Sequence, residues 1–151
     1  MRNFIENDYV IKQIKPYLKD VEAYIVGGFV RDVLLNKKSP DRDLIICNCD
    51  VEKFSRELSD KLNAHFIELD SINKIYRIVL ENKIDYIDIT MPIENDFEKD
   101  IKRRDLTINA IAYNLNTSEV VDLVGGVDDI KNEKFLIIEA DHPQNFYHKY
   151  L

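Results

Sequence analysis

The chain has 151 residues, 45% hydrophobic and 32% charged, with only four glycines and four prolines, so it suits one domain with one core and excludes long disordered linkers. No apolar run approaches the roughly 20 residues that span a bilayer, and the N-terminal MRNFIENDYV lacks a secretory hydrophobic region; a cytoplasmic protein without a membrane partner is expected. A formal net charge of −7 argues against a long RNA-binding track, which wants basic surface.

In chain order, residues 8–19 place Val10, Ile11, Ile14, Tyr17 and Leu18 on one helical face, with Pro16 marking a kink or an earlier end. Residues 22–26 read as a strand, 28–35 as a helix and 43–47 as a strand. Asp50 is a fitting N-cap for a helix to about Leu62, with Val51, Phe54, Leu58 and Leu62 facing inward. A short strand at 64–68 follows. Lys74–Leu80 and Ile84–Met91 then read as a hairpin turning at Glu81-Asn82-Lys83. A helix is expected from about Thr107, burying Ile108, Ile111, Ala112 and Leu115. The remainder holds a strand near 119–122, a turn at Gly125-Gly126 before a short helix, and a strand near 135–138.

Few of the ordinary metal or redox signals are present. Cys47 and Cys49 are the only cysteines, without a second pair or a histidine to complete a zinc site, and read as reduced strand-end residues. His65, His142 and His148 have no ligand-like spacing, and the dispersed tyrosines make no base-stacking groove.

The chemistry is concentrated in YIVGGFVRDVLLNKKSPDRDLIIC, Tyr24 to Cys47. A glycine turn opening a helix, Gly27-Gly28, lets backbone N–H groups approach a phosphate at the positive end of the helix dipole. On a strand, Asp41 and Asp43 point to the same face about 7 Å apart, and two such carboxylates can share a pair of Mg²⁺ ions. A phosphate cradle beside paired metals is the equipment for nucleotidyl transfer. Either element alone reads as a turn or a solvated strand; the coupling favours function. Local positive charge at Lys37-Lys38 and Lys99–Arg104 is enough for a triphosphate. Arg103-Arg104-Asp105 offers forked cationic donors and a carboxylate, and taken alone reads equally as a solvated basic turn.

Gly27-Gly28-Phe29-Val30-Arg31-Asp32 followed by Asp41-Arg42-Asp43, and the later Asp100-Ile-Lys-Arg-Arg-Asp-Leu-Thr-Ile-Asn-Ala-Ile-Ala-Tyr113, resemble two signatures of the class II tRNA nucleotidyltransferase and bacterial poly(A) polymerase head domain. The resemblance covers about residues 22–138. It implies an α/β fold of the polymerase-β-like nucleotidyltransferase type, a mixed sheet with packed helices. It also implies transfer of a nucleoside monophosphate from ATP or CTP to the 3′-hydroxyl of an RNA, tRNA first among them, with release of pyrophosphate. Asp41, Asp43 and Asp88 would be the catalytic, metal-holding carboxylates for two Mg²⁺ ions. Gly27, Gly28 and Arg31 would position the triphosphate. Asp32 would support the metal loop or brace Arg31. Arg103, Arg104 and Asp105 would bind nucleotide, Asp105 at the ribose 2′-OH, with Asn109 sharing the helical face of Asp105.

Two departures stand out. The family carries an arginine shortly after the strand of the third carboxylate, and Met91-Pro92-Ile93 offers none. The family also continues into a helical neck that reads the base, whereas residues 139–151 lack its Asp and Arg. Residues 1–138 are thus expected to form the head and 139–151 an extension at the start of a missing or degenerate neck, which a separate chain could complete. Two other readings keep the fold: a stand-alone nucleotidyltransferase acting on a protein or small molecule, and a nucleotide-binding subunit.

Overall fold

The computed structural model describes residues 2–132. Seven strands lie among them: β1 (Glu22–Val26), β2 (Asp43–Cys47), β3 (His65–Asp70), β4 (Ile75–Val79), β5 (Tyr86–Thr90), β6 (Ile111–Asn114) and β7 (Glu119–Asp122). They form one mixed sheet in the order β3-β4-β5-β2-β1-β6-β7. The β2–β5 pair is parallel and the other neighbours are antiparallel. Six helices accompany it: α1 (Arg2–Glu6), α2 (Tyr9–Ile14), α3 (Gly28–Leu34), α4 (Val51–Lys61), α5 (Phe97–Lys102) and α6 (Gly126–Lys131).

Alternation along β2 divides the interior. Leu44 and Ile46 join Ile5, Val10, Ile11, Ile14, Val30 and Leu58 in one apolar layer under α1 to α4. Ile45 and Cys47 join Val26, Ile101, Ala110 and Ala112 in a second layer on the other face. Asp43 is in phase with Ile45 and Cys47, so the second face carries it.

Most local expectations hold. The Asp50 carboxylate accepts the Lys53 backbone N–H at 3.1 Å and starts α4. Pro16 falls in a 3-10 turn, Lys15–Tyr17, so the helix ends at Ile14; Leu18 is buried while Tyr17 stays 38% exposed. Cys47 and Cys49 are free thiols, and burial pushes that of Cys47 up to about 12. His65 is exposed. Among the described residues no helix is long and apolar enough to cross a membrane. The strand expected near 135–138 and the extension at 139–151 lie outside the described residues.

The helix expected from Thr107 is absent. A 3-10 turn, Thr107–Asn109, leads directly into β6, which pairs with β1 on one side and β7 on the other. Ile111, Ala112 and Tyr113 are all buried because both faces of this central strand are covered. A strand covered on both faces reads as a continuous apolar run, which periodicity cannot tell from a buried helix.

The turn at Gly125-Gly126 locks the last helix against that 3-10 turn. Asp122 accepts the N–H groups of Gly126 and Val127 at 2.8 and 3.0 Å. A Cβ on Gly126 would lie 2.3 Å from the Thr107 carbonyl oxygen and 2.8 Å from Ile111 Cγ1. Gly126→Ala is therefore expected to cost about 1–3 kcal/mol, the usual range for overpacking, read as a lower midpoint in urea denaturation.

Candidate active site

Gly27 joins β1 to α3 with φ +75° and ψ −140°, a conformation that a side chain would strain. A Cβ there would also meet Arg104 Nη1 at 3.3 Å and Asp43 Oδ2 at 3.9 Å. Because Gly27 has none, the turn sits close to both groups. A cleft of about 440 Å³ opens here, lined by Gly27, Gly28, Arg31, Asp43, Arg103, Arg104, Asp105 and Asn109. Segments far apart in the chain thus converge on the sites expected for nucleotide. A hollow of about 590 Å³ elsewhere is lined by Phe4, Tyr9, Phe29, Lys37, Lys38 and Arg42, but its buried cation, Arg42, is already paired with Asp8.

A buried carboxylate, Asp100, and a half-buried one, Asp8, hold arginines of this region. Asp100, 2% exposed, accepts Arg103 Nη2 and Arg104 Nη2, each at 3.2 Å, and the Ile93 N–H at 3.0 Å. Arg104 Nε is buried without a hydrogen-bond partner, a donor left over for a ligand. On the other face Asp8 grips Arg42 with two 2.8 Å hydrogen bonds, and Arg42 Nη1 donates to the Pro40 carbonyl at 3.1 Å. Arg42 therefore pins the segment between Asp41 and Asp43 from behind. Sequence reasoning missed both anchors, although Asp100 precedes the arginines by the helical spacings of three and four.

Asn109 does not share a helical face with Asp105, since no helix forms there. Its Oδ1 instead accepts Arg31 Nη1 at 2.7 Å. Arg31 Nε donates to Asp32 at 3.0 Å, so Asp32 braces Arg31. Asp105 is exposed at the cleft rim.

The three carboxylates occupy different settings. Strand β2 begins at Asp43, as expected for residues 43–47, and Asp41 lies in the exposed segment before it, so strand alternation does not place the pair. The Asp88 N–H still donates to the Arg42 carbonyl at 2.9 Å, so the pairing reaches back between them. The parallel β2–β5 register sets Asp43 opposite Asp88. Asp88 takes Arg77 in a fork, Nε at 2.7 Å and Nη2 at 3.0 Å. The Tyr86 hydroxyl donates to Asp41. Burial, then the charges of Asp88 and Asp41, raise the Asp43 carboxyl above its usual range, partly offset by Arg104 and Arg77.

Residues 23–136 match the family described as the poly(A) polymerase head domain. The chain belongs to that family. It is 35% identical over 122 residues to the CCA-adding enzyme of Streptococcus sanguinis, a match covering 74% of this chain and 30% of that protein. It is 31% identical over 121 residues to the CC-adding tRNA nucleotidyltransferase of Synechocystis sp., covering 79% of this chain and 28% of that protein. The structure of the Thermotoga maritima CCA-adding enzyme complexed with tRNA superposes with a TM-score of 0.78 at 27% identity, covering 91% of this chain and 35% of that one. The chain spans about a third of the length of these relatives. Its sheet and helices are those of the polymerase-β-like head fold.

The setting of Asp43 has a measurable consequence. A carboxyl whose folded pKa is raised contributes nothing below its ordinary value of 3.8 and destabilises the fold as pH rises through the folded value. Asp43→Asn is expected to raise the thermal midpoint at neutral pH without divalent metal, each kcal/mol of relieved penalty being worth about 2–4 °C in a domain this size. The gain should fade as pH falls from the raised folded value toward 3.8 and be gone below it, which a scan of melting temperature against pH checks.

Proposed function

We propose that this chain is the catalytic head of a metal-dependent nucleotidyltransferase that moves a nucleoside monophosphate from ATP or CTP to the 3′-hydroxyl of a tRNA. The observation that carries the proposal is the cleft itself: a glycine turn, three arginines and the exposed carboxylate of Asp105 meet beside Asp43. The relatives with tRNA in their names favour tRNA over a protein or small-molecule acceptor.

The residues fit a divalent cation by charge and by donor type. Asp41, Asp43 and Asp88 supply hard carboxylate oxygens, and burial with the charges of Asp88 and Asp41 disfavours the ionised form of Asp43, a penalty that a bound cation would relieve. As the side chains lie, no three of the described His, Cys, Asp or Glu residues converge on one point. Asp88 is turned to Arg77 and Asp41 to Tyr86. We assign Asp41, Asp43 and Asp88 to two Mg²⁺ ions, which when bound would offset charge on the transferred phosphoryl group and the leaving oxygen.

The chain's own residues do the rest. The Gly28 N–H and the Arg31 guanidinium cradle the triphosphate, the Gly27 N–H being engaged with the Ile111 carbonyl at 3.3 Å, and Arg31 is held in place by Asn109 and Asp32. Arg104 turns its unpaired Nε to a phosphate oxygen, and Arg103 adds charge at the rim. Asp105 accepts the ribose 2′-OH. Asp88 orients the 3′-hydroxyl and takes its proton as that oxygen attacks the α-phosphorus. The bond to the β-phosphate breaks, and pyrophosphate leaves. The remaining length of the relatives, on this or a separate chain, would dock the tRNA. Reduced cysteines suit a cytoplasmic setting.

Incubation with labelled CTP or ATP and tRNA lacking its terminal nucleotides tests this: incorporation should require divalent metal and be abolished by Asp41→Asn or Asp43→Asn. Activity that survives both substitutions overturns the carboxylate assignment. Arg104→Ala should weaken Mg²⁺-ATP binding by about 10-fold or more, the worth of a hydrogen bond to a charged group. Asp105→Ala should reduce ATP-over-dATP discrimination by about 2- to 10-fold, because an exposed carboxylate gives only the net value of one hydrogen bond. Calorimetric titration of both nucleotides reads each effect.

A further inference from the structure

The carboxylates assigned to metal are held by two side chains that stack on each other. Arg77 lies on β4 directly opposite Asp88 in the β4–β5 register and forks onto both of its oxygens. The Arg77 guanidinium sits 4.3 Å from the centre of the Tyr86 ring. Tyr86, two residues before Asp88 on the same face of β5, donates its hydroxyl to Asp41. One cation and one hydroxyl thus occupy two of the three carboxylates, and Asp43 alone among them makes no side-chain hydrogen bond or ion pair among the described residues.

We propose that Arg77, braced on Tyr86, is a built-in counter-cation that holds Asp41 and Asp88 apart without metal and must release Asp88 for divalent ions to bind. The proposal rests on the reading of these carboxylates as metal holders.

The argument is geometric and electrostatic. A carboxylate has two oxygens, and the Arg77 fork takes both, at 2.7 and 3.0 Å. An incoming cation must use the remaining lone pair of an oxygen that the guanidinium already holds, so it meets the Arg77 charge at contact distance and competes with it electrostatically. The pair is half-buried, with Arg77 33% and Asp88 20% exposed at the side chain, so water neither screens it fully nor is excluded. Tyr86 is a platform that keeps the planar guanidinium in register, since cation and ring face attract. When Asp88 is released, the displaced guanidinium stays beside the site as a permanent charge. The sequence has no arginine at Met91-Pro92-Ile93, after β5; Arg77 brings one to the same carboxylate from the neighbouring strand.

Arg77 is accordingly a positioning residue, and its removal should make metal binding easier while disturbing geometry. Binding of Mn²⁺ alone, followed by loss of the free-ion electron paramagnetic resonance signal, is expected to tighten about 3- to 10-fold in Arg77→Gln relative to the unaltered chain, the worth of one partly exposed charged fork. Arg77→Lys, which keeps the charge and loses the fork, should tighten less. Tyr86→Phe, which frees Asp41 but keeps the ring under Arg77, should tighten binding by a smaller factor. In the unaltered chain, Mg²⁺ should move the Arg77 Nε–H resonance, identified by its absence in Arg77→Gln. A merely structural ion pair would lower the melting temperature and leave Mn²⁺ affinity unchanged. Unchanged or weaker Mn²⁺ binding in folded Arg77→Gln, or in Arg77→Lys if the former is unfolded, overturns the counter-cation role alone, provided Asp43→Asn loses Mn²⁺ binding. Mn²⁺ binding that ignores Asp43→Asn overturns the metal-holder reading and this inference with it.

Discussion

One parallel pair of strands in an otherwise antiparallel sheet decides where the chemistry can be. Strand β2 runs alongside β5 in the same direction, so both chains enter the sheet from the same edge and Asp43 meets Asp88 across the ladder. A parallel pair needs a long crossover, and α4 with the β3–β4 hairpin supplies it. An antiparallel β2 would place Asp43 at the far end of β5, and no shift of side chains could bring the carboxylates together. The Gly27 turn lies at that same edge because β1 runs antiparallel to β2, with Val26 opposite Asp43. Cleft, glycine turn and carboxylates are consequences of strand direction.

Around that frame, charge is arranged in opposed pairs rather than spread. Each arginine near the site has an acidic keeper: Arg42 has Asp8, Arg31 has Asp32, Arg77 has Asp88, and the exposed Arg103 and half-buried Arg104 share Asp100. Such pairing fixes long side chains that would otherwise lose rotamer freedom when a ligand arrives, and preorganised donors bind anions at smaller entropic cost. Asp43 has no such keeper among the described residues, and burial, followed by the charges of Asp88 and Asp41, raises its pKa.

Much of this was legible in the sequence, for identifiable reasons. Gly27-Gly28 before Arg31, and Asp41-Arg42-Asp43 at a strand start, carry local chemistry that depends on spacing alone, and the structure gathers Gly27, Gly28, Arg31, Asp43, Arg103, Arg104, Asp105 and Asn109 in one cleft. The turn at Thr107–Asn109 was misread because three successive buried residues after it resemble a helix as much as a central strand. Arg77 was invisible for a subtler reason. A hairpin centred on Asn82 sets Arg77 opposite Ile87, whereas the actual register sets it opposite Asp88, a shift of one residue that changes which side chains meet. Asp8 and Asp100 act across tertiary contacts, which no local pattern contains.

The position of β6 has a consequence for synthesis of the chain. Strand β1 is made early, but its outer neighbour is β6, and β6 also carries the edge strand β7. About 85 residues separate the end of β1 from the start of β6. At about 5–20 residues per second a ribosome takes roughly 4–17 s to deliver them. Throughout that interval the apolar run Ala23–Val26 presents an unpaired strand edge, the kind of surface that captures another chain. The nascent protein depends on whatever shields that edge until the Ile111–Asn114 segment emerges to close the sheet.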